Sequence, residues 1–134
     1  MTMIFIDANI FIAYHNERDV HHRRALEIST EIESGKFGDY LTSDYVFNEV
    51  IGVTLRKQGK AKALLLGEQI LKNFFILNLN QIALKETWKA FKESDLNLNL
   101  VDCSNLTALK LVDCSTIATF DEEFKKFPDI QVIS

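Results

Sequence analysis

The chain has 134 residues, of which 47% are hydrophobic and 25% are charged, and its formal net charge is −4. This length predicts one domain over residues 1–134, and the composition excludes a disordered or collagen-like chain. The acidic balance excludes a strong general attraction to nucleic acid, so contact with RNA or DNA would need a local basic patch and bridging cations.

The hydrophobic pattern predicts strands and helices that alternate along the chain. In order, they are a strand at 3–6, helices at 8–14 and 20–34, a strand at 39–42, helices at 44–58 and 60–73, a strand at 74–77, helices at 80–94 and 102–112, a strand at 115–119, a helical turn at 121–125 and a strand at 130–133. Strands that alternate with helices imply a parallel sheet between helical layers. The predicted fold class is therefore α/β.

The first strand, Met3–Ile6, consists of four apolar residues, which predicts burial on both faces. Asp7 follows where the strand ends, at the edge where open parallel sheets bind ligands. A carboxylate at the rim of a core needs a partner. Two interpretations stay open: Asp7 is a metal ligand or catalytic acid, or it caps the following helix.

The helix predicted at 20–34 begins with two histidines. Asp19 is expected to cap this helix. His21 projects onto its apolar stripe, which predicts a packed or half-buried side chain. His22 is adjacent and points elsewhere, so a metal shared by the pair is not expected. The role of both histidines stays open.

The turn between the helices at 44–58 and 60–73 is rich in positive charge. Thr42 or Ser43 is expected to cap the first of these helices, and Gly59 to end it. The charged residues, called the basic turn below, are Arg56, Lys57, Lys60 and Lys62. They form either a solvated helix end, favoured by the helix dipole, or a patch that binds phosphate groups.

Three more acidic residues lie beside buried elements. Glu49 falls at the edge of the apolar stripe of its helix. Asp102 is predicted to open a helix after a loop at 96–100, with Asn105 as its i+3 neighbour, and Asp121 directly follows the fourth strand. Each alone also fits a rim charge or a helix cap. With the first acid they make up what we call the acidic cluster: Asp7, Glu49, Asp102 and Asp121.

One edge of a parallel sheet can gather the acidic cluster, and such a gathering needs neutralisation. Two like charges 4 Å apart cost about 4 kcal/mol at an effective dielectric constant near 20. Ligands that are all oxygen favour Mg²⁺ or Mn²⁺ over zinc. Ions held by carboxylates suit phosphoryl transfer, in which the metal activates water and neutralises the phosphate.

Four segments occur in a recognisable order. They are Asp7-x-Asn9, Glu49 within an apolar helix, Leu98-x-Leu100-Val101-Asp102, and Ala118-Thr119-Phe120-Asp121-x-x-Phe124. In order and spacing they resemble the PIN domain, and in particular the VapC-type ribonuclease toxins of toxin–antitoxin pairs. The resemblance covers essentially the whole chain, and the last segment is the most specific. Asn99 departs from the pattern, because many relatives have Ser or Thr before the third acid.

The resemblance implies a three-layer α/β/α sandwich around a five-stranded parallel sheet. It implies that the acidic cluster is catalytic and binds one or two Mg²⁺ or Mn²⁺ ions. By family position, Asn9, Ser43 and Thr119 would orient carboxylates, water or phosphate, and we predict the same supporting role for Asn105. The implied partners are an RNA substrate, a second copy in a homodimer, and an antitoxin whose tail occupies the acidic cleft.

The expected activity is hydrolysis of RNA by metal-activated water, which leaves a 5′-phosphate and a 3′-hydroxyl. One alternative is a HAD-type phosphatase, which also begins with a strand and an Asp. Such enzymes have a second Asp where this chain has Asn9, which argues against that class. The other alternative is a catalytically weak PIN fold that binds RNA or assists ribosome assembly. The presence of all four acids argues against it, and a Mn²⁺ titration would discriminate.

Neither a membrane segment nor a disulfide is predicted. Residues 2–14 are apolar but lack the basic start of a signal peptide, and no stretch approaches the roughly 20 apolar residues of a membrane span. On one helix, Cys103 and Cys114 would lie about 16 Å apart along the axis, beyond the roughly 7 Å that a disulfide allows. Free thiols predict a reducing, cytoplasmic location.

Overall fold

The computed structural model describes residues 2–134. Within them, the strands are β1 (Met3–Ile6), β2 (Asp39–Ser43), β3 (Phe75–Leu77), β4 (Thr116–Ala118) and β5 (Gln131–Ile133). The helices are α1 (Ala8–His15), α2 (His22–Glu33), α3 (Asp44–Gln58), α4 (Lys60–Asn73), α5 (Gln81–Glu93) and α6 (Leu100–Leu111), and a 3-10 turn covers Glu122–Lys126. Most predicted boundaries therefore agree with the structure to within about two residues.

The strands form one parallel sheet in the order β3–β2–β1–β4–β5. The first four helices connect strands that step away from β1 on one side, and the last two return the chain across β1 to the other side. Because such crossovers are right-handed, the two groups of helices cover opposite faces of the sheet. The predicted three-layer sandwich with a five-stranded parallel sheet is confirmed.

The central strand carries the middle of the core. Ile4, Phe5 and Ile6 are at most 1% exposed, as expected for a strand covered on both faces. The stripe predicted on α2 is also buried. Residues of all three layers thus share one apolar interior.

Gly38 sets how closely β2 approaches the start of β1. Its φ of +82° lies in the left-handed region, and a Cβ there would overlap the backbone carbonyl of Thr2. That carbonyl accepts a hydrogen bond from the Asp39 amide at 3.2 Å, which aligns Met3 with Asp39 in the sheet. A side chain at residue 38 would disturb this alignment.

The start of α2 differs from the prediction. The helix begins at His22 rather than residue 20, and Asp19 does not cap it. Instead, Asp19 Oδ1 accepts the His21 amide at 2.8 Å, and the Asp19 carbonyl accepts the His22 amide at 3.0 Å. This local turn competes with the helix, as Asp side chains commonly do. His21 is therefore exposed, and the predicted packed or half-buried side chain is wrong.

The start of α6 also differs. The helix begins at Leu100, two residues before the prediction, and Asn99 is its N-cap. The Asn99 side chain accepts the Asp102 amide at 2.8 Å, and Asp102 Oδ2 accepts the Asn99 amide at 3.0 Å. This reciprocal pair is a capping box. Asp102 therefore lies in the first turn of α6 instead of opening it.

Two predicted apolar segments are more exposed than their composition indicates. The strand β3 is an edge strand, and Phe75 is 66% exposed. On α5, the buried residues are Ala83 and Thr87, whereas Ile82 and Trp88 are 72% and 51% exposed. Both elements thus present apolar side chains on the outside of the molecule.

Within residues 2–134, no helix combines the length and apolar character needed to cross a membrane. Cys103 and Cys114 are buried and are not joined in a disulfide. The Cys114 thiol contacts the Met3 carbonyl at 3.4 Å and the Thr116 carbonyl at 3.3 Å. Both thiols thus belong to the interior.

Candidate active site

The strand order brings the first and last predicted acids together. β1 lies between β2 and β4 in the sheet; the chain runs from β1 to β2 on one side and later returns to β4 on the other. The carboxyl ends of β1 and β4 therefore flank the point where the strand order reverses. Open α/β sheets bind ligands in the crevice at this point. Asp7 follows β1 and Asp121 comes shortly after β4, so the crevice begins with two acids.

Asp7 is 3% exposed, and hydrogen bonds surround its carboxyl group. Oδ1 accepts the Ala8 amide at 2.7 Å and the Asn105 side-chain amide at 2.9 Å. Oδ2 accepts the Thr119 hydroxyl at 2.7 Å. The bond to Ala8 caps α1. Burial raises the pKa of Asp7, these three bonds oppose that rise, and the charge of Asp121 adds to it.

Thr119 links the acids of the two strands. Its buried hydroxyl donates to Asp7 and accepts the Asp121 amide at 3.1 Å and the Asn9 side-chain amide at 3.2 Å. Asn9 Oδ1 in turn accepts the Phe120 amide at 3.1 Å. Two residues predicted to support the site, Asn9 and Thr119, thus belong to one hydrogen-bond network with Asp7.

The remaining acids come from helices. Asp102 is 9% exposed in the first turn of α6, and Glu49 is half-buried on α3. Burial raises the pKa of Asp102 to about 7, and the charges of Asp7, Asp121 and Glu49 add to this rise. The hydrogen bond from the Asn99 amide opposes it. Burial also raises the pKa of Glu49, and the charge of Asp7 adds to it. Asp7, Glu49 and Asp102 are therefore each harder to ionise than an isolated acid, and the charge of Asp121 contributes to this effect at Asp7 and Asp102.

The donor set fits a hard divalent cation. The described hydrogen bonds use only Oδ2 of Asp102 and Oδ1 of Asp121, so among residues 2–134 the second oxygen of each carboxyl group has no donor. Asn105 Oδ1 is buried and also has no partner within the described chain. Of these three oxygens only Asn105 Oδ1 is both fully buried and unpaired, which is costly, whereas the free oxygens of Asp102 and Asp121 are not fully enclosed. A cation or its water ligands would satisfy them.

The carboxylates are not gathered into a finished ligand set. Within residues 2–134, no three Asp, Glu, His or Cys side chains form a group that could hold an ion as placed. Small side-chain rotations of the acids on α3 and α6 would therefore have to accompany cation binding.

The other predicted residues lie at the edges of the site. Ser43 is buried and caps α3 through the Val46 amide at 3.2 Å; within the described residues its hydroxyl makes no hydrogen bond to the acidic cluster. The side chains of the basic turn are exposed at the junction of α3 and α4. Lys62 lies near His15, whose pKa is lowered by burial and further by the charges of Lys62 and His22.

One feature of the rim is absent from the sequence-based prediction. The rings of His21 and Phe120 stack with centroids 4.3 Å apart and planes 12° apart. Nothing in the spacing of residues 21 and 120 indicates this contact, because it depends on the turn before α2. Phe120 nevertheless lies inside the Thr119–Asp121 motif, which is the signal that could have drawn attention to it.

Known proteins share this sequence pattern and this fold. The profile of the PIN domain family matches residues 4–130. Ribonuclease VapC1 from Aquifex aeolicus is 31% identical over 134 residues, covering 98% of this chain and 89% of that protein.

Solved structures of low sequence identity have the same fold. The VapC20 toxin from Mycobacterium tuberculosis, described as cleaving the sarcin–ricin loop, has a TM-score of 0.80 at 18% identity and covers 92% of this chain and 93% of its own. The VapBC2 complex from Rickettsia felis, bound to a DNA fragment from its promoter, has a TM-score of 0.70 at 16% identity, with 98% and 97% covered. FitAcB from Neisseria gonorrhoeae has a TM-score of 0.70 at 18% identity, with 98% and 97% covered. With its five-stranded sheet and its acids at the β1–β4 edge, the chain belongs to the PIN domain family, among the VapC-type ribonucleases.

Proposed function

We propose that the protein is a metal-dependent endoribonuclease that acts as the toxin of a VapBC-type pair. The observation that carries this proposal is the acidic cluster, in which Thr119 links Asp7 to Asp121 by hydrogen bonds and neighbouring acids add to the raised pKa values of Asp7, Glu49 and Asp102. A buried concentration of negative charge has no structural benefit by itself. It is useful where a cation and a phosphate group must be held together.

Each part of the network has a task in this proposal. The residues that would hold the ion are Asp7, Glu49, Asp102 and Asp121. A bound Mg²⁺ or Mn²⁺ would supply an activated water and neutralise charge on the phosphodiester. Thr119 and Asn105 keep the Asp7 carboxyl group in one orientation through their bonds to its two oxygens. Asn9 fixes Thr119 and the backbone at Phe120.

The RNA strand needs attraction from elsewhere, because the net charge is −4. The basic turn supplies four exposed cations, and within residues 2–134 none of them forms an ion pair with a carboxylate. Contacts to phosphate bring affinity without base specificity. We assign this role to Arg56, Lys57, Lys60 and Lys62. Two free thiols fit the reducing cytoplasm as the place of action.

Two protein partners belong to the proposal. Several structures with this fold are toxin–antitoxin complexes, including one from Klebsiella pneumoniae. We propose a corresponding antitoxin whose tail covers the acidic cleft of this chain. We also propose a homodimer, for which the exposed apolar side chains of α5 offer surface.

Cleavage of single-stranded RNA with defined ends tests the activity. The purified protein is freed of metal with EDTA and then supplied with Mn²⁺ or Mg²⁺, and products are separated by electrophoresis. We expect cleavage only with the cation and products that carry 5′-phosphate and 3′-hydroxyl ends. Asp7→Asn is expected to lower the rate by at least about 100-fold, since loss of one ligand group impairs both metal and water.

Asp95→Asn is the matched control, because Asp95 is an exposed acid in the α5–α6 loop. It should cut RNA at the parent rate. Products with 2′,3′-cyclic phosphate in EDTA would mean that the ribose hydroxyl attacks without a metal. That result, or an Asp7→Asn protein with the parent rate, would contradict the proposal.

One observation favours a second candidate, a PIN fold that binds RNA with little catalysis. No three acids among residues 2–134 are assembled for an ion, and the cost of moving them together would weaken cation binding. Isothermal titration with Mn²⁺ separates the candidates. Saturation at a low millimolar concentration or below, abolished by Asp121→Asn, supports the nuclease; absence of saturable binding supports the second candidate.

A further inference from the structure

The stacked rings of His21 and Phe120 form a flat aromatic surface at the rim of the acidic cluster. Their centroids are 4.3 Å apart and their planes differ by 12°. His21 is exposed and Phe120 is half-buried. Phe120 covers one face of the imidazole, so the other face is directed to solvent.

Phe120 is held in register with the acids. It lies between Thr119, which donates to Asp7 at 2.7 Å, and Asp121. Its amide donates to Asn9 Oδ1 at 3.1 Å, and Asn9 also contacts the Thr119 hydroxyl. The backbone at Phe120 is therefore tied to the same network that holds the Asp7 carboxyl group.

His21 is held from the other side by the turn before α2. Its amide donates to Asp19 Oδ1 at 2.8 Å, and the following amide donates to the Asp19 carbonyl. A rigid turn thus presents a solvent-exposed ring to Phe120. Packing alone does not account for this arrangement, because an exposed imidazole buries little apolar surface.

Two exposed cations lie near His21 in the sequence, although Asp19 shares the turn and Asp121, Glu122 and Glu123 follow Phe120. Arg18 and Arg23 are exposed on either side of His21, and within the described chain neither pairs with a carboxylate. His22, which follows His21, lies near His15, and Lys62 of the basic turn also lies near His15. Cations are therefore available on the α1–α2 side of the stacked pair.

We propose that His21 and Phe120 form a stacking platform for one nucleobase of the RNA, beside the phosphate to be cleaved. The proposal rests on the proposed function and adds the site that positions the strand. Bases splayed out of single-stranded RNA stack on aromatic rings, whatever their sequence, because every base has a π-face. The nearby cations would hold the flanking phosphates.

Binding is measured separately from cleavage, in an Asp7→Asn background, by fluorescence anisotropy of a short single-stranded RNA. Removing His21 alone exposes the Phe120 ring, so the decisive variant combines His21→Ala with Phe120→Leu. We expect it to bind about 5- to 100-fold more weakly, the range for loss of one stacked base. His21→Phe keeps a ring without a charge and should retain affinity, whereas His21→Lys with Phe120→Leu keeps a cation without a ring and should not.

Two controls separate stacking from other effects. Val20→Ala removes a 91% exposed side chain from the same turn, and Phe75→Ala removes a 66% exposed ring from β3, at the opposite side of the sheet from Phe120. Both should bind RNA like the background protein. Circular dichroism and thermal unfolding confirm that each variant is folded.

A scan of single abasic positions through the RNA identifies the stacked base. One abasic position should weaken binding to the background protein and leave binding to the double variant unchanged. Equal affinity of the double variant and the background protein would overturn the platform while leaving the nuclease intact. A background protein that binds no RNA would contradict the proposed function as well.

Discussion

Asp7 is both a helix cap and a member of the acidic cluster, two interpretations that its position in the sequence leaves open as alternatives. Its carboxyl group caps α1 through the Ala8 amide and also stands among the acids of the cluster. Asp121 and Asp102 do the same, since they accept the Glu123 and Asn99 amides. A cap uses one oxygen of a carboxyl group and leaves lone pairs for another ligand. Capping therefore orients these acids without consuming them.

At the residue scale, Thr119 is the most demanding position. Thr119→Val keeps the shape but removes a buried hydroxyl that takes part in three hydrogen bonds. We expect a loss of about 1–3 kcal/mol in the free energy of unfolding, because the partner groups remain buried and unpaired. The pKa of Asp7 should rise further, since the Thr119 bond lowers it. Urea denaturation and the pH dependence of RNA cleavage measure the two effects.

Thr119→Ser keeps the hydroxyl and should recover most of the activity. Thr116→Val is the matched control, three residues earlier in β4, because the Thr116 hydroxyl has only an exposed contact to Gln131 at 3.4 Å. It should change stability by less than about 0.5 kcal/mol. A Thr119→Val protein as stable and as active as Thr116→Val would show that the network has no role.

Sequence spacing predicts which acids form the cluster but not which hydrogen bonds hold them. The motif around Thr119 and Asp121 is short and local, so it could be recognised in the sequence. Asn105 was assigned as a neighbour of Asp102 on one helix, yet its amide donates to Asp7, 98 residues away. That contact depends on how α6 packs beside β1, which no local pattern encodes.

At the scale of elements, the start of α6 governs the position of Asp102. Asn99 and Asp102 cap each other's amides, at 2.8 and 3.0 Å. Ser and Thr are ordinary N-caps, and Asn is as good as Ser. The departure from the family pattern at Asn99 is therefore a substitution of one cap for another.

Asn99→Ala should remove the side-chain half of this capping box. We expect a loss of about 1 kcal/mol in the free energy of unfolding, measured by urea denaturation. Asn99→Ser should restore most of it. Asn97→Ala, an exposed change in the same loop, should have no measurable effect; a loss equal to that of Asn99→Ala would mean that the loop, not the cap, is responsible.

Element boundaries were predictable where hydrophobic periodicity is strong and not where polar side chains compete. The capping box moved the start of α6 to Leu100, and the Asp19 turn moved the start of α2 to His22. In both places an Asn or Asp side chain forms local hydrogen bonds that compete with the predicted start of the helix. The exposure of Phe75 was not predictable, because strand composition does not reveal an edge position.

At the scale of the whole molecule, the acidic cluster makes stability depend on pH. Burial raises the pKa of Asp102 from 3.8 to about 7, with the other acids contributing, and it raises those of Asp7 and Glu49 in the same direction. At a pH between 3.8 and about 7, the Asp102 carboxyl group is ionised in the unfolded chain but binds a proton in the folded chain. The free energy of unfolding therefore falls as pH rises from about 4 to about 7, and levels off above.

We expect the free energy of unfolding of the cation-free protein to be lower at about pH 7.5 than at about pH 5, by about 2–4 kcal/mol. Its melting temperature should be lower at the higher pH for the same reason. Mn²⁺ at a hundred times its dissociation constant should raise the free energy of unfolding by about 2.7 kcal/mol. The gain should be smaller at the lower pH, because protons compete with the cation for the carboxylates. Differential scanning calorimetry with and without Mn²⁺ measures both changes.

Asp102→Asn should flatten the pH dependence, because an amide resembles the neutral acid in size and charge. Asp95→Asn alters an exposed carboxylate and should leave it as it is. A cation-free protein whose stability increases from about pH 5 to about pH 7.5 would have the opposite sign and would refute the electrostatic account.

The central position of β1 also determines when the enzyme exists during its own synthesis. The chain leaves the ribosome from its amino terminus, so Asp7 emerges early, while Thr119 follows 112 residues later. Until β4 can pair beside β1, the cluster lacks Asp121 and the network lacks its hydroxyl. A chain that has not yet formed β4 is thus expected to lack the complete hydrogen-bond network around Asp7. Assembly of this site therefore waits for a contact between residues that are 112 positions apart.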